Sequence, residues 1–470
     1  MLERDIEESC YWLAARGAAN IANSARPSDL EKCQIAIVGA GFTGLWTALF
    51  LKELNPDADI VVVEQGVTGY GASGRNAGMI SNCIDHSHSL AITHFGEEEA
   101  RKLAAIGLAN IQEMAQFATD CDLELSGQLF VALKPKHMED LAALLEAAAK
   151  LNISGYKLLD QAAVQAKLNS PLYVGGAVVP GGGIIDPIKL VDKLASTLRA
   201  KGVRIFERCR VTSVSESGLE AVWQPKANKT DKAAPGKPVR VQSTKTILAT
   251  DAYTHHLLPG LLWRFVPLYD YILVSEPLSA EQLASIGWQG REGIVDGRTF
   301  FNYYRLTADN RILWGTSEAM YYPPNQVGAK YDHSQHHYTT LKESFDRHFP
   351  QLKGISWQYG WGGPIASTTR LTPFFGTAHN GKVLYALGYT GHGIGSTRLA
   401  GKVLAHLALQ KDSDLLKLKL VTDKPFPYPP EPLRSVAINM VTGSLRQVDA
   451  GKSPNLLLKT LDLLGIGFSS

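Results

Sequence analysis

The sequence predicts an α/β protein in which a parallel, doubly wound sheet is interleaved along the chain with an antiparallel α+β domain. Three observations lead to this prediction. A strand–helix–strand unit occupies residues 35–64, and a second helix-to-strand return follows at 187–206. Residues 263–315 are instead rich in aromatic side chains and short alternating runs, which is typical of antiparallel strands.

The first unit begins with residues 35–40 (IAIVGA), a continuous apolar run of strand length. Residues 42–54 then take helical spacing and stop before Asn55-Pro56. Residues 59–64 (DIVVVE) form a second buried-type strand. Together they predict a β-α-β unit of a parallel sheet.

The later return contains a helix whose ends are marked in the sequence. Asp186 is suited to cap a helix over 187–200, because its carboxylate accepts from free backbone N–H groups, and Pro187 suits the first helical position. Gly202 is the C-terminal breaker. The strand 203–206 would then return the chain to the sheet.

These patterns divide the chain into interleaved segments. We expect a nucleotide-binding domain at 34–85, 172–262 and 355–410, a second domain at 86–171 and 263–354, an N-terminal extension at 1–33 and a C-terminal tail at 411–470. An interleaved chain is expected to bind its ligand between the two parts.

Composition and charge exclude several classes of function. The net charge of +2 over 470 residues gives no footprint for nucleic acid, and no apolar run approaches the length of a membrane span. The five cysteines are scattered, so we expect a cytoplasmic protein with no disulfide framework. His86 and His88 are expected in an exposed loop and His255-His256 at a helix start, so no metal site is predicted.

A glycine fingerprint, Gly39-Ala40-Gly41-Phe42-Thr43-Gly44, lies between the first strand and its helix. Gly39 permits a tight turn, Gly41 lets a pyrophosphate approach the backbone, and Gly44 permits close packing of helix and strand. Glu64 follows 20 residues after Gly44, where a carboxylate accepts hydrogen bonds from a ribose diol. This pattern predicts a dinucleotide with an unphosphorylated ribose, either FAD or NAD.

The next segment, residues 71–78 (GASGRNAG), favours FAD. Ser73, Arg75 and Asn76 supply hydroxyl, guanidinium and amide groups in a loop of small residues. A cofactor with a polyhydroxyl chain needs such a second set of donors, whereas a nicotinamide dinucleotide usually does not. An NAD-linked dehydrogenase remains the alternative.

Five motifs in order give the chain a family resemblance. They are IAIVGAGFTGLWTA, VEQGVTGYGASGRNAG, GGIIDPIKLVDKLASTLRAKGV, TILATDAYT and GYTGHGIGSTRLAGKVLA, between residues 34 and 410. The chain resembles the D-amino-acid oxidase superfamily of FAD enzymes, in the branch that includes glycine oxidase, sarcosine oxidase and γ-glutamylputrescine oxidoreductase. This implies a Rossmann-type FAD-binding domain interleaved with an antiparallel-sheet α+β substrate domain.

The resemblance also implies the residues that hold FAD. The ADP half would contact Gly39, Gly41, Phe42, Thr43, Gly44, Glu64, Gln65 and the backbone of Val211. The pyrophosphate, ribityl chain and ring would lie along Gly71, Ala72, Ser73, Gly74, Arg75, Asn76 and Gly78. Thr250 and Asp251 replace the usual Thr-Gly or Thr-Asn turn of the family, so Asp251 is a departure.

The GHG turn leads into the last helix of this region, where a helix N-terminus can stabilise negative charge on a reduced flavin. The cofactor candidates here are Gly388, His392, Gly393, Ile394 and Gly395. Sarcosine oxidases resemble this turn but carry a lysine, their carboxylate anchor, where this chain has Gly395. Covalent-flavin relatives carry a histidine at the position of Arg75, or a cysteine late in the chain, so noncovalent FAD is expected.

By this resemblance the enzyme takes a hydride from the carbon next to an amine onto flavin N5 and gives an imine that hydrolyses. A primary or secondary amine such as a γ-glutamylputrescine-like compound ranks ahead of glycine or sarcosine, and oxygen or another acceptor reoxidises the flavin. A glycine/sarcosine-type oxidase and a non-catalytic flavin subunit remain alternatives.

The substrate pocket is the least defined part of the sequence, and no catalytic acid or base can be named. Arg305 is the candidate for binding an anionic or carbonyl group of the substrate. An aromatic cage around the amine would be drawn from Tyr269, Tyr271, Tyr303, Tyr304, Trp361 and Tyr389.

Overall fold

The computed structural model describes residues 5–16, 25–224, 235–463 and 465–466. The strands are β1 (Leu30–Val38), β2 (Ile60–Val63), β3 (Met79–Ile80), β4 (Gln128–Ala132), β5 (Lys157–Asp160), β6 (Gly175–Val179), β7 (Gly183–Ile184), β8 (Arg204–Phe206), β9 (Cys209–Ser215), β10 (Gly218–Trp223), β11 (Lys237–Leu248), β12 (Val266–Ser275), β13 (Gly293–Asp296), β14 (Asn302–Leu306), β15 (Ile312–Tyr321), β16 (Trp357–Ser367), β17 (Phe374–Ala378) and β18 (Val383–Leu387).

The helices lie between these strands and at both ends of the chain. They are α1 (Ile6–Ser9), α2 (Tyr11–Ala15), α3 (Phe42–Leu54), α4 (Ala72–Arg75), α5 (His88–Phe95), α6 (Glu97–Phe117), α7 (Pro135–Lys150), α8 (Gln161–Lys167), α9 (Pro187–Ala200), α10 (Ala280–Ile286), α11 (Gln335–His348), α12 (Gly393–Leu409), α13 (Lys419–Thr422), α14 (Leu433–Asp449) and α15 (Leu456–Leu463). Asp186 caps α9 as predicted, because its carboxylate accepts from the backbone N–H groups of Ile188 and Lys189.

The first sheet has the order β17-β18-β11-β1-β2-β8, with the β9–β10 hairpin attached beside β11. Strand β1 pairs in parallel with β2 on one side and with β11 on the other. Strand β2 then pairs in parallel with β8, and β11 pairs in parallel with β18. Buried apolar runs, such as residues 35–38 in β1, suit strands that are covered on both faces. The predicted Rossmann-type unit is confirmed.

The second sheet has the order β16-β12-β15-β14-β13-β4-β6-β5 and is antiparallel except between β4 and β13. Helix α11 packs against β12 and β15 and contributes to a separate apolar core with Trp314 and Phe345. The antiparallel-sheet α+β region of the prediction is therefore present.

Two segments differ from the expected domain boundaries. Strand β6 falls in the range 172–262 assigned to the nucleotide-binding domain, but it pairs with β4 and β5 of the second sheet. Strand β16 falls in the range 355–410, yet it pairs with β12 from Trp357 to Ser367. The physical reason is cross-strand pairing over long sequence distances, which local composition does not encode.

The two chain ends pack onto both sheets rather than standing apart. Trp12 of the N-terminal extension donates its indole N–H to the backbone carbonyl of Asn76, at 2.8 Å. In the C-terminal tail, the carboxylate of Asp449 accepts from the backbone N–H groups of Thr299 and Phe300, at 2.7 and 3.0 Å. Among the described residues, no helix is both long and apolar enough to cross a membrane.

Candidate active site

A cavity of about 1740 Å³ is lined by residues of both sheets and of the C-terminal tail. The predicted cofactor residues that line it are Gly39, Gly41, Phe42, Thr43, Glu64, Gln65, Gly71, Ala72, Ser73, Arg75, Asn76, Val211, Thr250, Asp251, His392, Gly393, Ile394 and Gly395. Segments up to about 350 residues apart in the chain thus meet at one site.

The glycine fingerprint forms the turn between β1 and α3. Gly39 has φ +103°, a conformation that glycine adopts readily and other residues rarely do. A Cβ on Gly44 would lie 2.0 Å from the carbonyl oxygen of Gly39, so this helix can approach the strand only with glycine there. The N-terminus of α3 therefore lies at the cavity, where Gly41, Phe42 and Thr43 line the wall and a helix N-terminus suits a pyrophosphate.

Glu64 follows β2 and lies at the same end of the cavity. Its carboxylate accepts from the backbone N–H groups of Ala40 and Gly66, at 2.9 and 2.8 Å. Burial raises the pKa of Glu64 to about 6, and these two hydrogen bonds oppose that shift. Each oxygen keeps a lone pair for a further donor, which is what a ribose diol supplies.

The loop that carries Ser73 and Asn76 is held by its own side chains. Ser73 Oγ accepts from the backbone N–H of Phe42, at 2.8 Å, so the loop closes over the fingerprint turn. The Asn76 amide donates to the carbonyls of Ala72 and Ser73 and accepts from the N–H of Gly78. Asn76 thus fixes the loop as well as lining the cavity.

Arg75 belongs to the same loop and its side chain is buried. Its guanidinium pairs with Asp332 at 2.8 Å and donates to the carbonyls of Tyr70 and Gly362. Nη2, however, is buried without a hydrogen-bond partner. Arg75 as a residue lines the cavity, and its buried Nη2 without a partner is a costly arrangement.

Four predicted cofactor glycines do not line the cavity: Gly44, Gly74, Gly78 and Gly388. Their contribution is close backbone approach. A Cβ on Gly74 would lie 2.3 Å from the carbonyl oxygen of Gly69, and one on Gly78 would lie 2.3 Å from that of Ile185. Close packing behind the cavity wall is therefore what the structure shows for these positions, and their contact with FAD stays a prediction.

The departure at Asp251 has a structural reason. Asp251 has φ +38°, a backbone conformation that suits the glycine or asparagine of relatives. Its carboxylate accepts from the backbone N–H of Gly388 at 2.9 Å and from that of Ala366 at 3.3 Å. Asp251 therefore joins the ends of β11, β16 and β18 at the wall of the cavity.

The GHG turn precedes α12, and residues 391–395 line the cavity. The His392 ring meets the His86 ring edge to face at 4.2 Å, and burial lowers the pKa of both imidazoles. Gly395 is buried, and a Cβ there would lie 3.2 Å from the carbonyl oxygen of Ser81. This leaves little room for the lysine that sarcosine oxidases carry at this position.

The residues present fit FAD. The fingerprint turn and Glu64 suit an ADP-ribosyl group, and Arg75 and the residues that begin α12 line the same cavity. Bound there, FAD would supply the two-electron redox chemistry. The protein's part would be to hold the dinucleotide at one end and to leave a chamber for the substrate at the other.

That chamber is bounded by β12, β14 and β16 and receives only some of the predicted aromatic side chains. Trp361, Tyr389 and Tyr303 line the cavity. The indole of Trp361 donates to the carbonyl of Arg75 at 2.9 Å, and the Tyr389 hydroxyl accepts from Thr43 Oγ1 at 2.9 Å. Trp361 is therefore fixed against the loop of residues 71–78, which we call the cofactor loop, and Tyr389 is fixed against α3.

Tyr269, Tyr271 and Tyr304 do not line the cavity, so their prediction as pocket residues was wrong. Tyr269 and Tyr271 point from β12 into the second core, where they donate to the carbonyls of Gly328 and Tyr331. Tyr304 stacks on Trp314 at 4.3 Å. Successive residues of a strand face opposite sides, so a run of aromatic residues cannot form one wall.

Arg305 also lies outside the cavity lining, which corrects its prediction as a substrate-binding group. Its guanidinium donates to the carbonyls of Gly78 at 3.0 Å and Ile185 at 2.7 Å, and it packs on the ring of Trp12. Burial lowers its pKa to about 10. Arg305 is a structural residue that supports the cofactor loop from behind.

The histidine predictions are corrected as well. His88 is buried beside the thiol of Cys83, at 3.4 Å, and His86 faces the cavity, so neither lies in an exposed loop. His255 and His256 end the 3₁₀ helix Asp251–His256 instead of starting a helix. Within the described part of the chain, no group of three or more His, Cys, Asp or Glu side chains is placed to hold a metal ion.

Sequence reasoning missed two features of the site. Asp270 lies on β12 between Tyr269 and Tyr271 and faces the cavity. Strict alternation along YDY was a signal for this, since it puts the aspartate on the face opposite both tyrosines. The tail also forms one wall, through residues of α14 such as Met440 and Val441, and no local pattern indicated that contact.

Comparison with known proteins agrees with this geometry. A family profile described as FAD dependent oxidoreductase (DAO) matches residues 34–407. The chain belongs to this family. It is an FAD-dependent oxidoreductase, and FAD is its cofactor.

Two relatives cover most of the chain. It is 31% identical to γ-glutamylputrescine oxidoreductase of Escherichia coli over 408 residues, which is 85% of this chain and 88% of that one. It is 30% identical to the probable oxidoreductase OrdL of Haemophilus influenzae over 401 residues, 83% of this chain and 85% of that one. Among solved structures, glycine oxidase from Geobacillus kaustophilus matches with a TM-score of 0.65 and 18% identity, over 84% of this chain and 99% of that one, which shows a shared fold.

Proposed function

We propose that this oxidoreductase oxidises the C–N bond of a primary or secondary amine of the γ-glutamylputrescine type and gives an imine that water hydrolyses. FAD, held noncovalently, would accept the hydride from the carbon next to nitrogen. Oxygen or another small acceptor would then take the electrons. The 31% identity to γ-glutamylputrescine oxidoreductase over most of both chains supports this substrate class.

The observation that carries the proposal is the chamber at the end of the cavity. It is lined by Trp361, Tyr303 and Tyr389 and contains the carboxylate of Asp270, while Arg305 is turned away from it. Gly395 supplies no side chain for a carboxylate anchor. Such a chamber suits a cationic or neutral amine better than the carboxylate of an amino acid.

The chain's own residues would act mainly by positioning and by excluding water. Trp361 and Tyr389 are fixed by hydrogen bonds to the cofactor loop and to α3, so they can hold the reacting carbon in one orientation. Apolar side chains of α14 line one wall of the cavity. Displacement of water from the chamber by a bound substrate would also favour the neutral amine, which is the form that can lose the hydride.

The direct test is anaerobic titration of the FAD-loaded protein with γ-glutamylputrescine, putrescine, glycine and sarcosine, followed by admission of oxygen with peroxide detection. We expect the first compound to bleach the flavin at the lowest concentration. Bleaching by glycine or sarcosine alone would favour the amino-acid oxidase alternative. The proposal fails if no amine bleaches the flavin.

A further inference from the structure

We propose that the carboxylate of Asp270 binds the ammonium group of the substrate, and that Tyr303 is the positioning residue that orients this carboxylate. The inference rests on the proposed amine oxidation and names the group that selects the amine. It implies a substrate whose charged nitrogen has no carboxylate on the adjacent carbon, because such a carboxylate would lie beside Asp270.

The register of β12 directs Asp270 into the cavity. Leu268, Asp270 and Ile272 line the cavity, whereas the alternate residues Tyr269 and Tyr271 are buried in the second core. The pairing of β12 with β15 shifts between Tyr269 and Tyr271, opposite this carboxylate. The extra residues of this bulge lie on β15, and such bulges are frequent next to active sites.

Asp270 lies at the end of the cavity where the cofactor loop ends. It pairs across strands with Gly363, and a Cβ on Gly363 would lie 3.1 Å from the side chain of Arg75. Trp361, two residues earlier on β16, donates to the carbonyl of Arg75. The carboxylate is therefore one strand away from the loop that would run along the ribityl chain and ring.

No cationic side chain within the described residues forms an ion pair with Asp270. Its oxygens accept from the backbone N–H of Tyr271, at 2.6 Å, and from the hydroxyl of Tyr303. Arg75, the cation of the neighbouring loop, is already paired with Asp332 and with two backbone carbonyls. Asp270 is half-buried in the wall of the cavity, and a carboxylate in such a position without a counter-ion gains free energy when a cation binds beside it.

The other acids of the cavity have structural partners that account for them. Glu64 and Asp251 each accept two backbone N–H groups, and Asp296 pairs with Arg298. Asp449 accepts the N–H groups of a loop between β13 and β14. Burial raises the pKa of Asp270 to about 7, against the opposing hydrogen bond from Tyr303, so its surroundings favour a compensating positive charge.

The role of Asp270 in the proton balance follows from the same geometry. An alkylammonium that binds the carboxylate can pass one N–H proton to it, which leaves a neutral amine and a carboxylic acid. Charge is conserved and both products are neutral, which a desolvated chamber favours. The amine that remains keeps its lone pair on nitrogen, as removal of a hydride from the adjacent carbon requires.

The test measures binding separately from turnover. tert-Butylamine has no hydrogen on the carbon that bears its nitrogen, so it can bind but cannot be oxidised, and tert-butanol is its uncharged counterpart. Binding of each to the FAD-loaded protein is followed as a perturbation of the flavin absorbance. We expect Asp270→Asn to weaken the binding of tert-butylamine by about 10- to 100-fold and to leave that of tert-butanol unchanged.

Three further variants make the result decisive. Asp270→Glu restores the charge and should bind tert-butylamine more tightly than Asp270→Asn does. Asp270→Ser is a second neutral variant with the same expected loss, if the amide prevents folding. Glu281→Gln removes an exposed carboxylate at the start of α10 and should bind like the unmodified protein.

The inference is overturned if Asp270→Asn binds tert-butylamine as tightly as the unmodified protein, or if the unmodified protein shows no preference for the amine over tert-butanol. Amine bleaching of the unmodified protein in the same preparation separates the two proposals. If an amine bleaches the flavin but Asp270→Asn binds tert-butylamine as tightly as the unmodified protein does, only the role of Asp270 as the ammonium-binding group is refuted. Absence of bleaching by every amine refutes the proposed function itself.

Discussion

The two sheets of this protein carry function in different ways. In the parallel sheet, the cofactor site is built from backbone groups and close glycine contacts, such as those of Gly39 and Gly44 in the β1–α3 turn. In the antiparallel sheet, the chamber is built from side chains on one face of β12, β14 and β16, selected by register. A backbone site can be recognised in a short stretch of sequence, whereas a register-dependent site cannot.

The largest expected effect tests the backbone site. Gly44→Ala would place a Cβ 2.0 Å from the carbonyl oxygen of Gly39, and a backbone atom cannot move away cheaply. We expect the purified variant to contain less than about a tenth of the FAD of the unmodified protein, as measured by absorbance. Gly260→Ala, where a Cβ meets nothing within 4 Å, is the matched control. Full FAD content in Gly44→Ala would contradict the described turn.

Arg305→Met tests whether Arg305 is a structural residue of the second sheet or a substrate-binding residue. The substitution leaves the carbonyl of Ile185 without its donor and removes one of the two donors to the carbonyl of Gly78, which still accepts from the N–H of Ile185, so the free energy of unfolding should fall by about 2 kcal/mol. Denaturant unfolding measures this loss. The KM for the amine should stay within about twofold, because Arg305 does not line the cavity. A raised KM with an unchanged free energy of unfolding would indicate instead that Arg305 binds the substrate.

Glu64 gives the cofactor site a pH dependence. If Glu64 holds the ribose as proposed, the ribose hydroxyls would donate to the carboxylate form, FAD binding would favour deprotonation, and the affinity would be lost as the pH falls through the raised pKa of about 6. We expect the dissociation constant of FAD to rise by up to about tenfold from pH 7 to pH 5, measured by flavin fluorescence. Glu64→Gln should flatten this profile. A profile unchanged by that substitution would show that another group is responsible.

The smallest effect separates two neighbouring tyrosines of β14. Tyr303→Phe removes the hydrogen bond to Asp270, so the amine should bind about three- to tenfold more weakly with little change in kcat. Tyr304→Phe removes only a hydroxyl that meets Tyr173 in the second core, so it should change stability and leave amine binding alone. Equal effects of both variants on amine binding would contradict the alternation.

The predictions were confirmed for the structural elements that local spacing encodes. The fingerprint turn, Glu64 and the capped helix α9 were recognisable because glycine positions, a strand-end acid and a capping aspartate are local signals. The roles of individual cofactor residues remain proposals. Gly74 and Gly78 show that even a correct motif mixes residues that line the cavity with residues that shape the loop from behind.

The prediction failed where pairing and register decide the outcome. Tyr269 and Tyr271 were grouped by their aromatic character, although alternation sends both to the core and Asp270 to the cavity. Arg305 follows Tyr303 by two residues on β14, so both side chains leave the same face of the strand, but the loop at Gly78 covers Arg305. The contribution of the tail depends on contacts across more than 100 residues, such as that between Asp449 and Thr299, which one sequence does not reveal.

The central claim is that the enzyme, with its substrate bound in the chamber, oxidises a carbon next to nitrogen rather than one next to oxygen. Anaerobic titration of the FAD-loaded protein with γ-glutamylputrescine, and with the alcohol in which a hydroxyl replaces its primary amine, tests this most directly. We predict that the amine bleaches one flavin per equivalent oxidised and that the alcohol leaves the flavin unchanged. Bleaching by the alcohol, or by neither compound, would contradict the account.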